Sequence, residues 1–246
     1  MRALLLALTL ATPLTAQDVV VLGETHDNPG HHIRQAGELV ALSPRAVVFE
    51  MLTPDQAARI ESRTPEAIRT ATGWDDSGWP EFPLYAPVFA ALGEAQIFGG
   101  GLDRALVRQA ITDGAAAVLD DPRFDLSDLP EEEQATREAE QQEAHCNALP
   151  EEMLPGMVEA QRLRDAALTR AVLTAIDETG GPVALITGNG HARKDRAVPL
   201  MLAQVAPDLV VDVLGQFEEM PEEDAPFDRW AISPAPERED PCAAFQ

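Results

Sequence analysis

Residues 183–191 read VALITGNGH, and this stretch decides the fold. Val183 to Thr187 is a continuous apolar run rather than an alternating one, the pattern of a strand buried on both faces. A Gly-Asn-Gly turn comes next and ends on His191. Four other segments have the same character: Val19 to Leu22, Ala46 to Phe49, Gln96 to Phe98 and Leu209 to Val213. Helical patterns separate them. Asn28-Pro29 and Thr53-Pro54 each place a capping side chain before a proline at the first helical position, the first opening a helix toward Leu42. Glu131 to Ala148 and Glu151 to Thr179 predict two further helices. The expected fold is α/β, a parallel-rich central sheet covered by helices, with a long helical insertion (about 103–180) between the third and fourth strands. There are no internal repeats.

The residues just beyond each strand are polar or glycine. After the first come Gly23-Glu24-Thr25-His26-Asp27-Asn28; after the second, Glu50; after the third, Gly99-Gly100-Gly101 and Asp103; after the fourth, Gly188-Asn189-Gly190-His191. In an open parallel sheet these positions share the carboxyl edge, where ligands bind. Glu24, His26, Glu50 and His191 are therefore expected to meet as two imidazoles and two carboxylates. Such a set suits acid/base catalysis. Alternatively His26, Glu50 and His191 could ligate Zn, Mn or Fe. Gly188 and Gly190 are expected to let the chain turn sharply there. Each residue also has a plainer use: Glu50 as a helix cap, and His31 and His32, in the first helix, as surface residues.

The chain has 246 residues, 45% of them hydrophobic, enough for one substantial core. Its formal net charge of −24 excludes nucleic acid and anionic lipid as partners. The acidic runs over 120–152 and 218–240 are expected to be solvated faces, whereas Arg193, Lys194 and Arg196 crowd one short segment. Residues 1–16, MRALLLALTLATPLTA, have a basic start, an apolar stretch and a small terminal residue. They predict a cleaved signal peptide, the apolar run being far short of the ~20 residues that span a bilayer. The protein is thus expected to be periplasmic, with one domain over 17–216 and a loosely ordered acidic, Pro-rich tail over 217–246. Cys146 and Cys242 permit one disulfide in an oxidising compartment, pinning that tail; the alternative is a free thiol at Cys146 beside His145.

On the longest helix the apolar phase is ambiguous. One stripe runs Met157, Gln161, Arg164, Leu168, Ala171 and Ala175; a competing one runs Leu163, Ala166, Arg170 and Leu173. In the first phase Arg164 is partly buried and requires an anionic partner, from the protein or from a ligand. With Arg193 nearby, that ligand is one carrying carboxylates. Tyr85, the single tyrosine, lies in an aromatic, proline-rich stretch that could flank a flat apolar ligand or simply build core.

LGETHDNPGHH (22–32), VVFEML (47–52), AHCNALPEEM (144–153), AQRLRDAALTRAV (160–172) and ALITGNGHARKDRAVP (184–199) together resemble the ChaN family of haem-binding uptake proteins, within the Tiki-like superfamily that also includes erythromycin esterase-type proteins. The resemblance covers about Val19 to Gln216. It implies an α/β fold, export, and haem or iron acquisition. Haem in the family is held by a tyrosine with histidine nearby, at a dimer interface. Tyr85 is then the candidate ligand, His145 a cofactor-side histidine, and Arg164 and Arg193 candidate partners for the propionates. The wider superfamily implies an alternative, a metal-dependent hydrolase using Glu24, His26, Glu50 and His191. The lipobox cysteine of the family is missing here, so no lipid anchor is expected.

Overall fold

The computed structural model describes residues 17–240, 242 and 243; the leader predicted over 1–16 lies outside them. In chain order the elements are β1 (Val19–Glu24), α1 (Pro29–Leu42), β2 (Ala46–Phe49), α2 (Pro54–Ala58), α3 (Pro65–Thr72), α4 (Phe82–Ala90), β3 (Gln96–Gly99), α5 (Arg104–Asp113), α6 (Ala115–Val118), α7 (Glu131–Ala144), α8 (Leu154–Thr179), β4 (Val183–Gly188), α9 (Asn189–Ala192), α10 (Val198–Val205), β5 (Val211–Phe217) and β6 (Arg229–Ile232). The six strands form one sheet in the order β3-β2-β4-β1-β5-β6, every neighbouring pair parallel. The α/β expectation holds.

Burial explains the continuous apolar runs. Every residue of β1, β2 and β4 is buried. On one face Val20, Leu22, Val47 and Phe49 pack with Leu39, Trp74, Tyr85 and Phe89, from α1, α4 and the turn before it. On the other, Val19, Val21, Val48 and Val213 pack with Leu168, Val172 and Leu202 of α8 and α10. Leu163 and Ala166 of α8 join a third cluster with Ala110, Leu119, Phe124 and Leu126. Both apolar stripes of α8 are therefore in use, because this helix is sandwiched between the sheet and the segment after β3.

The tail departs from its expectation. It contributes β6, an edge strand beside β5. Trp230 and Ile232 remain exposed, while Arg229 reaches Glu38 on α1 at 2.9 Å and Asp212 at 2.8 Å. Along β6 exposure alternates, Arg229 and Ala231 being partly covered, so it lacks the continuous burial of β1, β2 and β4. β5 also begins at Val211 and runs through Gln216 and Phe217, later than the apolar run over 209–213 suggested.

Cys146 and Cys242 are joined, 96 residues apart in sequence, so the tail is pinned to the end of α7. Loop closure on this scale restricts the unfolded chain by about 4–5 kcal/mol on the chain-entropy model. Cys242→Ser should therefore lower unfolding stability by up to that amount in denaturant titrations, with the loss reproduced in wild-type protein by reductant. An unchanged midpoint would show that the bridge constrains only the tail.

Candidate functional site

The register levels three strand ends. Glu24 of β1 lies opposite Gly188 of β4, and Phe49 of β2 opposite Ile186, so Glu50 extends β2 to the same edge. The turn after β1 carries His26, and α9 starts on Asn189 and presents His191. Glu24, His26, Glu50 and His191 are thus brought together, as expected. Gly188 makes room for them for a reason other than turning. Its φ is −62°, open to any residue, but a Cβ there would lie 2.9 Å from His26 Nε2 and 3.7 Å from Glu50 Oε2. The absent side chain is what allows the imidazole and the carboxylate to close on β4.

Acids and bases alternate through the site. Asp165 of α8 accepts from His191 Nδ1 at 2.6 Å, and His191 Nε2 lies 3.4 Å from Glu50 Oε1. The same carboxylate oxygen is 4.0 Å from His26 Nε2, while His26 Nδ1 donates to Glu24 Oε1 at 2.8 Å. The outer lone pairs are filled. Glu50 Oε2 accepts from the Thr187 hydroxyl at 2.7 Å and the Gly188 amide at 2.8 Å. Glu24 accepts from Gln35 Nε2 at 2.7 Å and from the Tyr85 hydroxyl. Burial opposes charge on every member, yet the neighbours outweigh it at most of them. Glu24 is pushed up by burial but brought down to about 2 by His26 and His32. Glu50 is pushed up by burial and held well below its usual range by His191 and His26. Burial lowers His191, but Glu50 and Asp165 raise it to about 10. His26 moves upward in the same way, against burial and toward Glu50 and Glu24. Asp165 is raised by burial, with His191 offsetting part of the shift.

Among the described residues no group of three or more His, Cys, Asp or Glu side chains is arranged to hold a metal ion. His26, Glu50 and His191 are organised as ion pairs, with both Nε2 atoms turned to one carboxylate oxygen. Tyr85 is fully buried, its ring 4.1 Å from that of His32 and 5.0 Å from that of Trp74. Burial and the neighbouring Glu24 push its hydroxyl well above the ordinary phenol value. It stands as a hydrogen-bond donor to Glu24 in the core. His31 and His32 are also fully buried. His31 Nδ1 accepts from the Thr25 amide at 2.9 Å, shaping the His26 turn, and His32 Nε2 lies 3.4 Å from Glu24. Trp79 packs against His26 with ring centroids 4.9 Å apart.

Sequence reasoning missed Gln35, Thr187 and the role of Asp165. Although Asp165 adjoins Arg164 in the chain, it turns to His191 and leaves Arg164 half-buried without a carboxylate within 4 Å among the described residues. Burial lowers the Arg164 pKa, countered by Glu50 and Asp165 at longer range.

Beside this cluster lies a cleft of about 390 Å³ between α7, α8 and the segment after β4. Arg137, Arg193 and Arg196 line it together with Ala144, Val158, Phe217 and Phe227. Gln161 and Asp165 line it too, and both touch His191, the Gln161 amide at 3.2 Å from Nδ1. Arg193 pairs with Asp195 at 2.6 Å, and Arg196 pairs with Glu140. His145 terminates α7, its Nδ1 2.8 Å from the Gln141 carbonyl oxygen.

These shifts set the pH range of stability. A raised His191 contributes stability that is complete below pH 6.5 and lost as pH rises toward about 10; a depressed Glu24 contributes stability lost as pH falls from 4.5 toward 2. His191→Gln should flatten the alkaline limb of a stability-against-pH curve and leave the Glu24 part of the acid limb. An alkaline limb identical to wild type would remove His191 as its source.

The sequence profile of the family described as haem-binding uptake, Tiki superfamily, ChaN, matches residues 10–202. No curated protein matches the sequence. Among solved structures, the chain is similar to ChaN of Campylobacter jejuni, a structure of cofacial heme binding, at 20% identity and a TM-score of 0.66 over 86% of each chain. Weaker likenesses are to the type III effector HopBA1 (13% identity, TM-score 0.43, 81% of this chain and 76% of that one) and to a succinoglycan biosynthesis protein (12%, 0.44, 82% and 66%). The likeness to ChaN concerns the fold, and the profile spans most of the chain: it belongs to the ChaN family of haem-binding uptake proteins in the Tiki superfamily.

Proposed function

We propose that this chain is an exported haem-binding protein of haem or iron acquisition, and that haem enters the cleft between α7 and α8. The observation that carries the reading is the cleft's chemistry. Haem is a flat apolar ring with two carboxylates on one edge. In a chain of net charge −24, Arg137, Arg193 and Arg196 line one concave surface, paired with Glu133, Asp195 and Glu140, and the rest of its wall includes Asp165, Phe217, Phe227, Val158 and Ala144. Its volume falls within the ~300–1,000 Å³ range of small-molecule sites. Arg193 and Arg196 would exchange their present carboxylates for propionates, at the cost of breaking partly solvated pairs. Bound haem supplies the iron; the chain supplies the charge complement and the apolar faces. Export is supported by the leader-like residues 1–16 and by a disulfide suited to an oxidising compartment. No helix among the described residues is long and apolar enough to cross a membrane.

One observation favours a second reading. The chain Asp165–His191–Glu50–His26–Glu24 is more elaborate than a stability role requires. Carboxylates hold the Nδ1 atoms of two imidazoles whose Nε2 atoms converge on Glu50, the arrangement of an acid/base pair with orienting groups. His26, with 32% of its side chain exposed, is the member that a substrate could reach. This supports a hydrolase activity; its metal-dependent form would draw on His26, Glu50 and His191.

Haemin titrated into the mature protein should bind saturably. Arg193→Ala with Arg196→Ala should weaken binding by roughly 10–100-fold, taking ~1.5–3 kcal/mol for a charge-assisted contact. Unchanged affinity in that variant would place haem elsewhere. For the second reading, wild type should cleave an activated ester and His191→Ala should not, with haemin affinity little altered. Stoichiometric Zn, Mn or Fe in the purified protein, lost in His191→Ala, would establish the metal-dependent form; no cleavage by wild type would end the reading for that substrate class.

A further inference from the structure

We infer that Arg164 of α8 holds a carboxylate on the ligand of the strand-end cluster, so that this cluster takes esters or amides that carry a separate carboxylate; the inference rests on the acid/base reading of Asp165, His191, Glu50, His26 and Glu24. Arg164 carries an unpaired charge. Arg137, Arg162, Arg193, Arg196 and Arg229 are, like Arg164, buried or half-buried, and each of those is in an ion pair with a carboxylate. Arg164 alone has neither an ion pair nor a hydrogen bond among the described residues. Burial works against its charge, with only longer-range help from Glu50 and Asp165. A partly buried cation without a counter-charge is costly to keep, and a bound anion removes that cost.

The direction of α8 aims this side chain at the site. The Thr179 carbonyl, at the end of the helix, accepts from Arg45 just ahead of β2, whereas Asp165 meets His191 just past β4. The helix therefore runs antiparallel to the strands, and its earlier turns overhang their carboxyl ends. Gln161, Arg164 and Leu168 share one face of it. Gln161 reaches His191, at 3.2 Å from Nδ1. Leu168 seats just past β3, where a Cβ on Gly100 would lie 2.6 Å from its Cδ2. Arg164 lies between them, and a long helical side chain leans toward the helix N-terminus, here out beyond the strand ends. Glu50, at the end of β2, acts on it more strongly than Asp165, its own neighbour in the chain. His26 faces the same Glu50, at 4.0 Å, with 32% of its side chain exposed. An anion held by Arg164 thus lies on the side of Glu50 that His26 leaves open to a substrate. The lining of the α7–α8 cleft includes Gln161 and Asp165 but not Arg164.

Charge selects the class of anion. Glu24, Glu50 and Asp165 outnumber the imidazoles of His26 and His191 by one formal charge, and Arg164 restores the balance. A carboxylate adds a single negative charge, which the guanidinium faces directly. The second charge of a phosphate monoester would meet Glu50 instead. A planar carboxylate also takes two parallel hydrogen bonds from a guanidinium, which a lysine in its place could not give. Arg164 is thus a specificity residue, and the reacting carbonyl of the ligand falls to His26.

The test uses the mature full-length protein, nitrophenyl butyrate as a neutral ester, nitrophenyl hemisuccinate as its carboxylate-bearing counterpart, and calorimetric titration with glutarate. Wild type should favour the hemisuccinate in kcat/KM. Arg164→Met should reduce that preference roughly 10–100-fold, mainly through KM, for the loss of one charge-assisted contact. Arg164→Lys should keep part of the preference, and circular dichroism confirms that both variants are folded. Glutarate should bind wild type saturably and Arg164→Met at least about tenfold more weakly. The same ester preference in wild type and Arg164→Met would overturn the inference and leave the acid/base reading standing. Cleavage of neither ester by wild type would end the acid/base reading. Glutarate binding lost in Arg164→Met would then still support the carboxylate subsite, and binding absent or equal in the two proteins would end that as well.

Discussion

The carboxylate of Glu50 holds the site together. It stands at the end of β2 but accepts hydrogen bonds from Thr187 and Gly188 of β4 and faces the imidazoles of His191 and His26. One buried anion therefore joins two strand ends, the turn after β1 and, through His191 and Asp165, the helix α8. Burying a carboxylate without such partners would cost several kcal/mol. Here both oxygens are engaged, and positive and negative groups alternate outward from it. Removing any one member would leave an uncompensated charge on the next, which is why the cluster acts as a unit.

That unit has two surroundings. On the β1 side it runs into the core through Glu24, where Gln35, His32 and Tyr85 complete the shell. On the α8 side it reaches the basic, apolar cleft through Gln161 and Asp165. A ligand in the cleft would thus lie against the same residues that orient His191. The haem-binding and acid/base readings draw on neighbouring surfaces of one structure, and their chemistry differs: the cleft presents guanidiniums and aromatic rings, whereas the strand ends present titrating groups that are buried except for His26.

Legibility in the sequence depended on how local each signal is. The buried strands β1, β2 and β4 announce themselves as continuous apolar runs, because both of their faces are covered. The strand-end residues are then placed by topology alone, since every parallel strand delivers its carboxyl end to one edge. β6 carries no such signal: it is four residues long, lies in an acidic, Pro-rich stretch and leaves Trp230 and Ile232 exposed. The phase of α8 is ambiguous for a physical reason, two covered faces in place of one. Asp165 escapes notice because helix position says which face a carboxylate is on, not which of two cations it will meet. His31 and His32 look like surface residues for want of any local cue that the end of β5 covers the first and Tyr85 of α4 the second.

The order of residues alone was enough for the α/β class, the family, the edge of the sheet where chemistry collects, and Glu24, His26, Glu50 and His191 as its members. The class and the edge are consequences of periodicity and chain direction, which short stretches of sequence encode, whereas the family is legible as a resemblance carried by whole motifs. Packing in three dimensions was needed to show that Tyr85 is a core donor to Glu24, that Asp165 rather than a second strand-end group orients His191, and that Gly188 is required for closeness rather than for turning. It was also needed to bring Arg137 of α7 onto one cleft with Arg193 and Arg196 of the segment after β4. Those facts depend on side-chain directions and distances between segments brought together by packing, and a hydrogen bond or an ion pair is settled by a few tenths of an ångström that no local pattern records.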